Sequence, residues 1–130
     1  MYIREFTEVD HAQVAGWWLA HKWPVIPLPS LPKNGLIVVG DDGREVCAGF
    51  IYQTDSDIAW LEFIVSNPEC SMRVRAKSLD TLIAGLKARA QELGHRCFFT
   101  SLSSKGLMKL YEKHGFQRTD TKMTNFIGRS

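Results

Sequence analysis

Between residues 58 and 100 the hydrophobic period of the chain changes twice, and this restricts the fold more than any other feature. Ile58 to Val65 is a strand-like run that ends near Asn67-Pro68. From about Ser71 to Leu93 the period is helical. Leu79, Leu82, Ile83, Leu86, Ala90 and Leu93 share one stripe, and Gly94 stands at the C-terminal stop. Arg96 to Thr100 is strand-like again. Strand, long helix and strand in this order are long enough for a parallel crossover. Antiparallel strands elsewhere then make the sheet mixed.

The upstream residues supply such strands. Tyr2 to Phe6 reads as a short strand, and Thr7-Glu8-Val9-Asp10 matches a capping box. The helix that follows places Val14, Trp17, Trp18 and His21 on one face and ends at Pro24. Pro24, Pro27, Pro29 and Pro32 keep residues 22–34 non-helical. Leu36 to Gly40, the turn Asp41-Asp42-Gly43, Arg44 to Thr54, the turn Asp55-Ser56-Asp57 and Ile58 to Val65 form a three-stranded meander. Downstream, Ser104 to His114 is a helix stopped by Gly115, and Phe116 to Ile127 is expected to contain a last strand. The expected order is β-α-β-β-β-α-β-α-β.

The 130 residues fit one domain, residues 1–130, without repeats or linkers. A formal net charge of +2 is too small for a general nucleic-acid binder, so nucleic acid is not an expected partner. Cys47, Cys70 and Cys97 are odd in number and widely spaced, which predicts reduced thiols and no metal site. Cys47 and Cys97 lie in apolar runs and read as packing residues. His11, His95 and His114 read as surface or cap residues. No apolar run approaches the ~18 residues of a membrane span. The first residues alternate like a strand rather than a signal peptide, so a cytoplasmic location and no membrane partner are expected.

Two places invite chemistry. Arg73, Arg75 and Lys77 put three cations at the start of the long helix, where the dipole and unpaired amides are already positive. A bound pyrophosphate or phosphorylated ribose explains them, and so does a solvated basic face. In the C-terminal helix Leu107, Leu110, Tyr111 and His114 share one face, so Tyr111 points inward. A buried phenol needs a hydrogen-bond partner or a function, or it simply packs.

The run Leu110-Tyr111-Glu112-Lys113-His114-Gly115-Phe116 before a strand resembles the C-terminal motif of the GNAT N-acetyltransferase superfamily, and the order of elements is similar over the whole chain. The resemblance implies a central, mostly antiparallel sheet with a parallel, splayed pair of strands, flanked by helices. It implies acetyl-CoA in the split between Ile58–Val65 and Arg96–Thr100. The pantetheine arm would pair with Phe63, Ile64 and Val65, and the pyrophosphate would sit on Arg73-Val74-Arg75-Ala76-Lys77-Ser78. Tyr111 would protonate the departing thiolate, and Glu62 is the candidate base, unless it is a solvent-facing or salt-bridged strand residue. Ser104 stands where the family often has Asn. The family's phosphate loop carries glycines, whereas none occurs here between Pro68 and Gly85, so side chains would do more of the holding. The implied acceptor is an amine-bearing small molecule or protein, with Trp17, Trp18, His21 and Trp23 near its pocket or packed on the sheet. A homodimer is left open. A non-catalytic module that binds CoA or a protein is the second reading.

Overall fold

The computed structural model describes residues 1–130. Strand β1 (Tyr2–Glu5) leads through a 3-10 turn (Glu8–Asp10) into helix α1 (His11–Ala20). A second 3-10 turn (Leu28–Ser30) precedes β2 (Asn34–Val39), β3 (Glu45–Gln53) and β4 (Ile58–Ser66). Helix α2 (Met72–Glu92), β5 (Cys97–Phe99) and α3 (Lys105–Lys113) follow. The five strands lie in the order β1-β2-β3-β4-β5. The first three pairings are antiparallel and β4–β5 is parallel, the mixed sheet expected from the crossover.

Alternation along the central strands buries both faces of the sheet. Leu36, Val38, Cys47, Ile51, Ala59 and Leu61 face α2, where Leu82, Leu86 and Ala90 meet them. Ile37, Val39, Ala48, Phe50 and Val65 face α1 and its Val14, Trp17 and Trp18. Each fully buried leucine contributes about 2 kcal/mol through the area it removes from water. Trp17 and Trp18 are therefore packing residues.

The local signals end the helices where the sequence predicts. Ser71 caps α2 by accepting the Val74 amide at 3.2 Å, and Ser104 caps α3 by accepting that of Leu107 at 3.4 Å. Gly94 and Gly115 follow the two helices with φ of 96° and 88°, in the left-handed region that glycine adopts without steric cost. Before α1 the expected Thr7–Asp10 capping box forms, and Arg4 adds to it. Asp10 accepts the Thr7 amide and hydroxyl and two N–H groups of Arg4, which together hold its carboxyl below the usual range.

Three expectations are corrected. No strand forms after α3. The segment Gln117–Lys122 is wholly polar, Met123, Phe126 and Ile127 are exposed, and β5 offers an edge only three residues long. Too little apolar surface is available there to offset the ordering of another strand. Cys97 is exposed because β5 is the sheet's edge, whereas Cys47 is buried and its thiol is pushed up to about 12 by desolvation. His95 is buried, not a surface residue. Its Nδ1 donates to the Ser56 carbonyl at 3.1 Å and its Nε2 stands 3.0 Å from Gln53 Oε1. It fastens the α2–β5 connection to the β3–β4 turn, beside the point where β4 and β5 begin to pair.

Candidate active site

Strand β4 is bonded unequally on its two sides. Towards β3 it is registered along its length, from Ala59 opposite Gln53 to Ser66 opposite Cys47. Towards β5 only Ile58, Ala59 and Trp60 have partners, namely Cys97, Phe98 and Phe99. From Leu61 onward the parallel pair has separated, and the β4 backbone is unpaired by strand on that side.

A bulge lies just beyond the separation. Ala48 faces Val65 and Phe50 faces Glu62, so Gly49 stands against two residues, Phe63 and Ile64. Phe63 adopts φ 57°, a left-handed conformation that costs a non-glycine residue about 1 kcal/mol or more. Gly49 makes the bulge sterically feasible. A Cβ there would come within 2.9 Å of Leu86 Cδ1 and 3.0 Å of Ile64 Cγ1. Such a bulge bends its strand and re-aims the side chains next to it.

Glu62 lies on β4 just past the separation, near enough for its charge to act on the Tyr111 phenol of α3. The Glu62 carboxylate accepts the Ser101 amide at 3.0 Å, bridging from β4 to the chain that leaves β5. Desolvation nonetheless pushes its carboxyl above the usual range, with the Ser101 amide and the nearby Thr100 hydroxyl opposing. Tyr111 is 2% exposed, and its hydroxyl has no hydrogen-bond partner. Thr100 lies close enough to affect the phenol but not in bonding geometry. Burial first, and then the Glu62 charge, drive the Tyr111 hydroxyl well above its ordinary value. An unpartnered buried hydroxyl costs about 1–3 kcal/mol. Its ring is held edge-on to Phe116 at 4.9 Å, which fixes the position of the hydroxyl oxygen.

The other predicted residues divide into two groups. Phe63, Ile64 and Val65 form the open side of β4. Arg75 lies at the far end of that strand, donating from Nε to Ser66 Oγ at 2.9 Å, while His21 Nε2 donates to the Ser66 carbonyl at 2.9 Å. Ser104 sits at the start of α3. Arg73, Val74 and Lys77 instead line a separate depression of about 340 Å³ with Met1, Gly40, Asp41 and Asp42. Ser78 is fully buried and its hydroxyl donates to the Arg75 carbonyl at 2.8 Å. Ala76 remains on α2 between the two groups. A larger depression of about 440 Å³, between α2, β5 and the end of α3, contains none of the predicted site residues.

The fold is shared with solved structures. The Mycobacterium tuberculosis protein Rv2747, solved with CoA, superposes with a TM-score of 0.74 at 13% identity, over 96% of this chain and 76% of that one. A Trypanosoma brucei acetyltransferase gives 0.66 at 18% identity, over 97% and 99% of the two chains. This chain has the GNAT acetyltransferase fold. AAC(6')-Iy, solved with a CoA-containing bisubstrate analog, gives 0.66 at 20% identity over 99% and 98%. No family model matches the sequence, and no curated protein does. The GNAT likeness is thus carried by the fold, with few of its residues held in common.

Residues near the site that the sequence reading left out are Trp60, Phe99, Thr100 and Ser101. Trp60 was legible in principle, because it lies two residues before Glu62 and so on the same strand face. Thr100 and Ser101 carry no such signal, since their place depends on how β5 departs from β4.

Proposed function

We propose that this chain is an N-acyltransferase that moves an acetyl or other acyl group from acetyl-CoA to an amine acceptor by direct attack on the thioester. The observation that carries the reading is the buried, unpartnered Tyr111 hydroxyl within reach of the charge of Glu62, which itself bridges the open strand pair to Ser101. The side of Phe63, Ile64 and Val65 turned away from β3 has no strand partner and suits an extended amide-bearing arm, which would bond to it as an added strand does. The start of α2 suits the pyrophosphate. Its Met72 and Arg73 amides have no intrahelical acceptor, Arg75 stands in the same turn, and Ser104 is assigned to the cofactor only through the family resemblance. Arg73, Val74, Ala76, Lys77 and Ser78 complete that segment, Ser78 from the buried side.

Acetyl-CoA would supply the activated acyl carbon and a thiolate leaving group. Glu62 takes a proton from the incoming ammonium, directly or through water, and its raised pKa makes it a better acceptor than an ordinary glutamate. Tyr111 stays protonated well above neutral pH and gives its proton to the departing sulfur. The two steps are coupled. The Glu62 charge helps keep the Tyr111 proton on, so neutralising Glu62 makes Tyr111 the stronger acid when the C–S bond breaks. The tyrosinate then regains a proton from Glu62 or from solvent.

Arg73 and Lys77 lie on the Asp41–Asp42 side, and the α2 start lacks glycine. These two facts favour the second reading, a non-catalytic module that binds CoA or a protein. Calorimetry with acetyl-CoA and thiol release over an amine panel separate the readings. Binding with thiol release is expected. Binding without release from any amine would favour the module, and no heat at millimolar ligand would remove both CoA readings. Three unpaired cysteines suit a cytoplasmic setting, and no helix is long and apolar enough to cross a membrane.

A further inference from the structure

The face of β4 that carries Glu62 is aromatic and open. Trp60 precedes Glu62 by two residues and is in register with Tyr52 on β3 and Phe99 on β5. The Trp60 and Phe99 rings lie 5.1 Å apart, centre to centre, and remain 38% and 40% exposed. The left-handed turn at Phe63 brings its ring edge-on to Tyr52 at 5.8 Å, also 38% exposed. Trp60, Phe63 and Phe99 belong to neither buried cluster of the core. Tyr52 is half-buried, and its hydroxyl is spent on the Ser30 carbonyl at 2.8 Å. Its phenol is raised to about 12, by burial first and then by the Glu62 charge, which places that charge beside the aromatic group.

Exposed rings in such density are costly to leave in water unless something covers them. Glu62 is the only carboxylate on β4 or β5. Four rings around one carboxylate complement a ligand with one positive charge on a flat apolar body. The ring faces attract the cation and stack on the body, while the carboxylate receives the ammonium. An acceptor with several cations would place its other charges over aromatic surface, with further carboxylates only at Asp55 and Asp57 on the β3–β4 turn.

Resting on the acyl-transfer reading, we propose that Trp60 and Phe99, with Tyr52 and Phe63, form the acceptor platform, and that the acceptor is a primary arylalkylamine. Its aromatic group lies on the Trp60–Phe99 pair and its amine points along β4 to Glu62.

The test is direct binding of 2-phenylethylamine, ethanolamine and spermidine, measured by isothermal titration calorimetry, together with thiol release from acetyl-CoA for each amine. The expected Kd for 2-phenylethylamine is about tenfold below that of ethanolamine or spermidine, the size of one stacking or cation–π contact. Trp60→Ala and Phe99→Leu should each raise it about tenfold, and Trp60→Tyr should restore most of the loss, because a ring face returns. Thermal unfolding of Phe99→Leu and Trp60→Tyr shows whether the fold is kept. Equal Kd values for the three amines, or a folded Phe99→Leu with wild-type affinity, would overturn the proposal. Thiol release absent from every amine, with the tenfold binding preference intact, would sink the acyl-transfer reading and leave the aromatic site standing.

Discussion

The two sides of β4 were built for different ends. Towards β3 its backbone is bonded to Ser66 with one bulge, and its alternating side chains join two buried clusters. Towards β5 the ladder stops after Trp60, and the perturbed groups lie on the strand beyond it and on α3. Glu62 keeps a disfavoured charge, Phe63 a left-handed backbone, and Tyr111 an unbonded hydroxyl. The bonded side maximises local satisfaction, whereas the open side leaves polar groups unspent. Unspent groups held in place by a satisfied frame are what a binding or catalytic site requires.

Substitutions can break this contrast. The largest effect is expected on the bonded side. Leu86→Ala should cost about 3 kcal/mol in denaturant unfolding, because it empties space between α2 and Gly49 that little else can fill. Tyr111→Phe should do the reverse. Removing an unpartnered hydroxyl should leave stability unchanged or raise it by about 1 kcal/mol. Turnover should fall about 100-fold with acetyl-CoA affinity kept. A loss of stability there would mean that the hydroxyl has a partner and that the open side is ordinary core.

Glu62→Gln comes next, with about a 30-fold loss of kcat/KM, since water can replace part of a base's work. Its pH dependence has a definite sign. Glu62 binds its proton more tightly in the fold than in the unfolded chain. Its contribution to stability is therefore most favourable at acid pH. It declines as pH rises from the ordinary glutamate value through the raised one, and then levels off. The Gln variant should lose that decline and also the acid limb of kcat/KM. An unchanged acid limb would remove Glu62 as the base. Arg75→Ala should have a smaller effect, about a threefold weaker acetyl-CoA Kd by calorimetry, because the partly satisfied guanidinium supplies one contact among several. Lys77→Ala should weaken it less than Arg75→Ala does, since Lys77 lies on the Asp41–Asp42 side. The opposite order would move the phosphate site to that depression.

The bonded side was also the legible side. Period changes, caps and glycine stops locate α2, α3 and the meander because those signals are local. Tyr111 was legible as an inward residue from its helical phase alone. The same phase places Ser78 four residues before Leu82, on the buried stripe, so its separation from Arg73 and Lys77 could have been read. The bulge could not. It depends on Gly49 giving room across the ladder, and Phe63 is not a residue type that announces a left-handed turn. The expected last strand failed for the converse reason, since alternation at Met123, Asn125 and Ile127 is a local signal without a surface to bury it.

Backbone amide NMR during an acetyl-CoA titration tests the central claim most directly. Saturable shifts and slowed exchange at Phe63, Ile64 and Val65, together with a shift at Tyr111, are the result expected if the open side of β4 receives the cofactor arm. Binding that leaves those three amides unmoved while shifting residues around Asp41, Arg73 and Lys77 would contradict it.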